Sequence, residues 1–223
     1  MRILALDAAT EACSAALWQD GATAERFEII GRGHADRLLP MADELLRAAG
    51  LEATALDAIA FGRGPGGFTG LRIAAGIAQG LAAGSGRPIL PVSNLAALAA
   101  GAARVAGETR VLACLDARMG QVYWAAFDCG GAAPLALTDE RLSEPAQVLP
   151  PPGARWFGAG HGFTAHPAIA ERLGDALGNI DGTALPRARD IAAIAAVDFA
   201  AGKGLPASRG LPVYLRDDVV HRR

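Results

Sequence analysis

Two carboxylates stand at matching places in the chain. Asp7 closes the apolar run Ile3-Leu4-Ala5-Leu6, and Asp116 closes Val111-Leu112-Ala113-Cys114-Leu115. A carboxylate at the C-terminal end of a buried strand can position a divalent cation, and through it a phosphate. It can equally fasten its own turn by accepting backbone amides. A glycine-rich turn lies between them: Gly62-Arg63-Gly64-Pro65-Gly66-Gly67 follows an expected strand and precedes an expected helix capped by Thr69. The spacing is that of a dinucleotide-binding turn. However, no Asp or Glu occurs between Asp57 and Glu108 to hold a ribose, and Pro65 stiffens the turn. What remains is a backbone that could turn its amides toward a phosphate, or a tight turn that lets strand and helix pack closely. Asp7, Gly64, Gly66, Gly67, Thr69 and Asp116 are therefore the candidate nucleotide or phosphate contacts, with no general base or lysine beside them.

Other chemistries are poorly supplied. The only lysine, Lys203, precedes Gly204, so no Gly-Lys-Ser/Thr phosphate loop exists. His34, His161, His166 and His221 lack the one-face helical spacing of a zinc site and read as solvated loop residues. No metal site is expected. Ser85, in Gly84-Ser85-Gly86, does not form a nucleophile elbow. Cys13, Cys114 and Cys129 have no ligand spacing and read as small core residues of a reducing compartment. The 223 residues are 52% hydrophobic and 20% charged, with a net charge of −2 and 5% aromatics. That describes a globular chain without the field of a stand-alone nucleic-acid binder. Asp7 comes too early for a signal peptide, and the apolar run 88–103 is broken by Pro91, Ser93 and Asn94. A cytoplasmic protein with no membrane contact is expected.

The elements that position these residues repeat. Strands are expected at 3–7, 14–18 and 26–30, with a hairpin turn at Asp20-Gly21. A helix follows over 34–49, then a strand at 57–62, a helix over 69–83, a strand at 88–92 and a helix capped by Ser93. The pattern then restarts. Residues 111–117 resemble 3–8, and the second strand at 121–127 matches 14–18. Two α/β lobes of related fold are implied, the second degenerate after Leu142. The expected division is 1–104 and 105–204, with the tail 205–223 joining the first lobe. A strand near 155–158 and a helix capped by Asp190 and ending at Gly202 complete the reading. Gly76, Gly80 and Gly84 leave one stripe of the 69–83 helix without side chains, each at about 1 kcal/mol relative to Ala. Either the protein's own sheet or another chain must come close there. With the apolar stripe of the 34–49 helix it gives a candidate partner interface of Leu38, Met41, Ala42, Leu45, Arg72, Ile73, Gly76 and Gly80.

The segments Leu6-Asp7-Ala8-Ala9-Thr10, Gly64-Pro65-Gly66-Gly67-Phe68-Thr69-Gly70-Leu71-Arg72-Ile73 and Leu115-Asp116-Ala117-Arg118-Met119-Gly120-Gln121-Val122-Tyr123 closely resemble the bacterial TsaB (YeaZ) family. Pro212-Val213-Tyr214-Leu215-Arg216 resembles that family's end signature, and Gly67 stands where the family usually has Ser. The resemblance implies a two-lobed actin-like ATPase fold of duplicated ribonuclease H-like sheets. It implies a role in making N6-threonylcarbamoyladenosine on tRNA beside the transferase TsaD. TsaD carries a metal-binding His-x-x-x-His whose positions fall here on Asn94 and Leu98. A non-catalytic partner is thus implied, forming a heterodimer with TsaD, helping to dock the ATPase TsaE, and meeting tRNA only through the complex. Alone it would self-associate as a homodimer. A weakly held nucleotide at the partner junction is the one cofactor suggested. The alternative is a nucleotide-binding or hydrolysing enzyme of the same superfold, working through Asp7 and Asp116.

Overall fold

The computed structural model describes residues 1–216; His221, Arg222 and Arg223 lie outside the described residues. β1 (Arg2–Asp7) is buried from Ile3 onward, because the chain covers both its edges and both its faces. It pairs antiparallel with β2 (Ala12–Gln19), which pairs antiparallel with β3 (Ala22–Ile29). Asp20 and Gly21 both take positive φ, the two-residue turn that matches strand twist. So tight a turn starts the third strand at Ala22, four residues before its expected start. α1 (His34–Ala48), β4 (Ala58–Gly64), α2 (Phe68–Ser85), β5 (Ile89–Ser93) and α3 (Asn94–Ala106) follow. The five strands lie in the order β3-β2-β1-β4-β5, with β1, β4 and β5 parallel.

The second half rebuilds that sheet. Its strands are β6 (Arg110–Asp116), β7 (Val122–Asp128), β8 (Leu135–Ala136), β9 (Arg141–Ser143), β10 (Trp156–Ala159) and β11 (Leu177–Asp181). Their order is β11-β10-β6-β7-β8, with β9 also on β7. With β8 and β9, which both pair antiparallel with β7, counted as one third strand, both sheets read 3-2-1-4-5: an antiparallel meander, then two parallel strands on the far side of the first. This is the duplicated, two-lobed α/β architecture of the actin-like ATPase superfold. The degeneracy expected after Leu142 touches the helices, not the sheet order: α4 (Gly162–Ala165) and α5 (Ala168–Leu173) are short.

α3 and α6 (Ala188–Ala200) lie between the sheets, and one core runs through both. Alanines dominate their buried faces (Ala97, Ala99, Ala192, Ala195), so the helices approach the strands closely. α6 therefore packs on the first sheet, although the expected division at 204 put it with the second half. The Ser14 hydroxyl on β2 accepts the buried Ala188 amide at 2.9 Å and fastens the start of α6. Three expected helix details differ. α2 starts one residue early, with Gly67 at its N-cap and no side-chain cap, so Thr69 does not cap it. Asp190 sits within the first turn of α6 rather than before it, and forms a two-bond pair with Arg104 of α3 at 3.0 and 3.1 Å. α6 ends at Ala200, short of Gly202. Ser93 does cap α3, accepting the Ala96 amide at 3.0 Å.

Residues 205–210 of the tail return to the first lobe. Leu205 bridges Ile89 through a pair of backbone bonds, and the Gly210 carbonyl accepts from Gln79 at 3.1 Å.

Candidate functional site

β1 and β6 end side by side on a cleft of about 730 Å³. One wall is the β1–β2 turn, the glycine-rich turn after β4 and the start of α2. The other is the β6–β7 turn with His161, and Val213 to Arg216 run along the rim. The site is thus placed by the duplication: equivalent strands of the two sheets deliver equivalent turns to one opening.

The two candidate carboxylates differ in what surrounds them. Asp7 is fully buried and lies behind the cleft lining. Its Oδ1 accepts the Asn94 side-chain amide at 2.6 Å, while its Oδ2 has no hydrogen-bond partner. Burial pushes its pKa up to about 7, against the smaller charge-stabilising effects of Asn94 and the nearby Ala9 and Ala8 amides. A carboxyl sealed behind the lining cannot contact a nucleotide in the cleft, which corrects the expectation for Asp7. Asn94 in turn accepts the Gly64 amide at 2.7 Å, so one side chain clamps the ends of β1 and β4 to the start of α3. A Cβ at Gly62 would overlap both Asp7 and Asn94. Glycine there is a requirement of this buried clamp.

Asp116 does line the cleft. Its Oδ1 accepts the Arg118 amide at 3.0 Å and lies 3.3 Å from His166 Nε2. Its own backbone N–H donates to His161 Nδ1 at 2.9 Å. That bond requires Nδ1 to be unprotonated, so a neutral His161 carries its proton on Nε2, 3.9 Å from the Glu11 carboxylate across the cleft. Burial holds the His161 pKa below its ordinary value, opposed by Glu11 and Asp116. His34 places Nε2 3.0 Å from the Thr10 carbonyl on the opposite side. These three histidines are structural partners of turns, not the solvated loop residues that their spacing suggested. No group of three or more His, Cys, Asp or Glu among the described residues is arranged to hold a metal ion.

The glycine-rich turn is shaped by the protein's own backbone. The Gly67 amide donates to the Ala9 carbonyl at 2.7 Å. A Cβ at Gly66 would stand 2.6 Å from that same carbonyl, and one at Gly70 would overlap the Ala8 carbonyl. Gly64, at φ +111°, would press a Cβ to 2.7 Å from the Val213 carbonyl. The Gly64–Pro65 peptide is cis. The amides of Gly64 and Gly67 are therefore engaged, and Gly64 is buried. Gly66, Gly67 and Thr69 reach the cleft, together with the first amides of α2, which lack intrahelical partners.

The candidate interface divides in two. Leu38, Met41, Ala42 and Leu45 are buried under the first sheet, at most 2% exposed, and cannot meet a partner. Their helical spacing is that of a core-facing stripe. On α2 the core face is Leu71, Ala74, Ala75, Ala78 and Ala82. Arg72, Gly76 and Gly80 are exposed and Ile73 half-buried. A Cβ at Gly76, Gly80 or Gly84 would meet nothing within 4 Å, so the protein's own sheet does not account for this stripe. Leu39 of α1, 47% exposed, adds an apolar side chain to the outer surface.

Sequence reasoning placed Gly62 and Gly70 in glycine-rich segments without a role, and missed Glu11 and the Asn94–Asp7 bond, which joins residues 87 positions apart. Local spacing carries no signal for that bond. The only trace of Gly70 was its place in the run Gly66-Gly67-Phe68-Thr69-Gly70.

Comparison with known proteins places these features in a lineage. A family model described as TsaD, tRNA N6-adenosine threonylcarbamoyltransferase, matches residues 28–179. The chain is 44% identical over 230 residues to the tRNA threonylcarbamoyladenosine biosynthesis protein TsaB of Escherichia coli K12, covering all of this chain and 98% of that protein. It is 37% identical to the Haemophilus influenzae TsaB, covering 100% and 97%. The solved structure of YeaZ from Pseudomonas aeruginosa superposes with a TM-score of 0.89 at 45% identity, over 96% of this chain and 99% of that one. A second Pseudomonas aeruginosa structure, of an uncharacterized protein with similarity to peptidase YeaZ, superposes at 0.90 with the same identity and coverage.

Proposed function

The chain belongs to the TsaB (YeaZ) family of tRNA threonylcarbamoyladenosine biosynthesis proteins, and from that premise we propose that it is the non-catalytic partner of a TsaD-type transferase. It binds that transferase as a heterodimer in the cytoplasm, holds it in its active shape, and helps to dock TsaE. The observation that carries this reading is what fills the two positions that the transferase devotes to metal-binding histidines. Here they are Asn94 and Leu98, both buried. Asn94 is engaged on both sides, with Asp7 and with the Gly64 amide. Leu98 belongs to the core between the sheets. Neither is available to ligate a metal, so the peptidase description of one neighbour finds no metal pair at this place in this chain.

The outer stripe of α2 supplies a surface for the partner. Three glycines on an exposed face weaken a helix by about 3 kcal/mol relative to alanine, and among the described residues no atom stands within 4 Å of where their Cβ atoms would be. A partner backbone approaching the stripe would offset that. If the transferase is active only in a minor conformation, a subunit that prefers that conformation raises its population by the ratio of its two affinities.

The test is threonylcarbamoyl transfer to tRNA by TsaD, TsaE and the threonylcarbamoyl adenylate, with and without this chain. Transfer that depends strongly on its addition supports the reading. Full transfer without it overturns the reading.

A second reading is favoured by one feature: the N-terminus of α2 opens on the cleft. Its free amides and dipole suit an anion, and a weakly held nucleotide phosphate would sit near Gly66, Gly67 and Thr69. Titration of the isolated chain with ATP checks this. Tight binding with hydrolysis would make the chain an enzyme of the superfold, though not one acting through the sealed Asp7.

A further inference from the structure

We propose that the segment Leu211–Arg216 is a strap across the mouth of the cleft, and that Arg216 is the positioning residue by which it pins the β6–β7 turn of the second lobe.

The segment has no regular secondary structure, yet it is fastened at successive points, first on the first lobe and then, at Arg216, on the second. The Val213 amide donates to the Arg63 carbonyl at the end of β4, at 2.7 Å. The Gly64 backbone leaves room for the Val213 carbonyl where any side chain would intrude. Tyr214 then folds back on α2. Its ring lies 5.3 Å from that of Phe68, and its hydroxyl accepts from Arg72 Nε at 3.0 Å. The Arg72 guanidinium stacks 3.7 Å from the Phe68 ring centre, closing a three-residue cluster. Two residues on, Arg216 crosses to the other wall. Its Nη2 donates to the Ala117 carbonyl at 3.0 Å, and its Nη1 lies 3.0 Å from Met119 Sδ.

The turn that Arg216 reaches needs an outside hold. Arg118 and Met119 have φ of 63° and 55°, a left-handed conformation unusual for side-chain-bearing residues, and Gly120 follows at 74°. Met119 is 75% exposed, so little packing keeps it there. Within the turn, the Ala117 amide donates to the Gln121 carbonyl, the Gln121 amide to the Arg118 carbonyl, and the Arg118 amide to Asp116. The Ala117 carbonyl is left for Arg216. A guanidinium presents donors in a fixed planar fork, which suits a residue that must bond a carbonyl and meet Met119 together. The arrangement gives Tyr214 and Arg216 separate tasks: the first anchors the strap on α2, and the second holds the turn that carries Asp116.

The experiment is hydrogen exchange and limited trypsin digestion of the full chain, comparing wild type with Arg216→Ala and Tyr214→Ala. Arg118 is exposed, so trypsin reports any opening of the turn at the 118–119 bond. For Arg216→Ala, cleavage there is expected to accelerate at least about tenfold, as the cleavage-competent open form becomes more populated. Exchange should rise over 117–121 and stay at the wild-type level in β1, β6 and α2. Tyr214→Ala should produce the same local pattern to a smaller degree, because Arg216 is then held by a strap loosened at one end. Unchanged cleavage and exchange at 117–121 in both variants would overturn the proposal. So would a uniform rise through both sheets, which would mark the segment as general packing.

Discussion

Asp7 sits where a carboxylate is hardest to keep ionised. It is sealed from water, accepts one side-chain hydrogen bond and has one oxygen unpartnered. With its pKa raised to about 7 from 3.8, the folded chain holds this proton over a range in which the unfolded chain has lost it. Below about pH 4 both states are protonated and the group is neutral toward stability. As pH rises from about 4 to 7 only the unfolded state ionises, which favours unfolding, and above 7 the penalty levels off. At 1.36 kcal/mol per unit the full span is of order 4 kcal/mol. Asp7→Asn should therefore flatten the pH dependence of urea unfolding between pH 4.5 and 8, and be at least as stable as wild type at pH 8. A variant that keeps the wild-type slope would remove Asp7 as its source. Gly62→Ala, by contrast, drives a methyl into the Asp7–Asn94 bond and should cost about 2 kcal/mol or more at any pH. The sequence shows Asp7 as a strand-ending acid and Asn94 as a helix-opening amide. It does not show that they bond to each other, because that depends on β5 lying beside β4 in the finished sheet.

At the scale of elements, periodicity identifies which residues of a helix share a face, and burial decides what that face meets. Leu38, Met41, Ala42 and Leu45 were correctly grouped on one side of α1. They face the chain's own sheet, and a long apolar stripe beside a sheet is the ordinary core of an α/β layer. Leu38→Ala should accordingly lower stability by about 2–5 kcal/mol in urea unfolding. A value below about 1 kcal/mol would contradict its placement. α2 carries the opposite pattern: alanines inward, glycines outward. Gly80 has open space around it and a helical backbone, so Gly80→Leu should leave the midpoint of unfolding unchanged or slightly raised. The same substitution should abolish co-elution with TsaD on gel filtration, because a leucine side chain holds a partner backbone away. Co-elution of Gly80→Leu at the wild-type level would remove this stripe from the interface.

At the scale of the molecule, the duplication was legible because it lies in contiguous residues: two apolar runs ending in Asp, each followed by a turn and an antiparallel strand. The return of α6 was not. Its residues come after the second sheet in sequence, and nothing in their spacing points back to β1, β2 and α3. That return changes what kind of object the protein is. Two lobes joined by a linker could unfold separately, but here α3 and α6 fill one core bounded by both sheets. The Arg104–Asp190 pair locks the two helices together, with the carboxylate 5% exposed and the guanidinium 42%. Chains longer than about 150 residues often unfold in steps, yet this shared core couples the halves. Amide exchange in β1 and β6 should therefore show the same dependence on urea and merge into one global opening. Arg104→Ala leaves the Asp190 carboxylate without its cation. With the arginine half in water, the loss should be moderate, about 1–3 kcal/mol. It should lower the opening free energy of both sheets together. Opening of β6 and β7 at lower urea than β1 and β4 would instead show that the sheets are separate folding units, and that the helices between them are packing on one sheet alone.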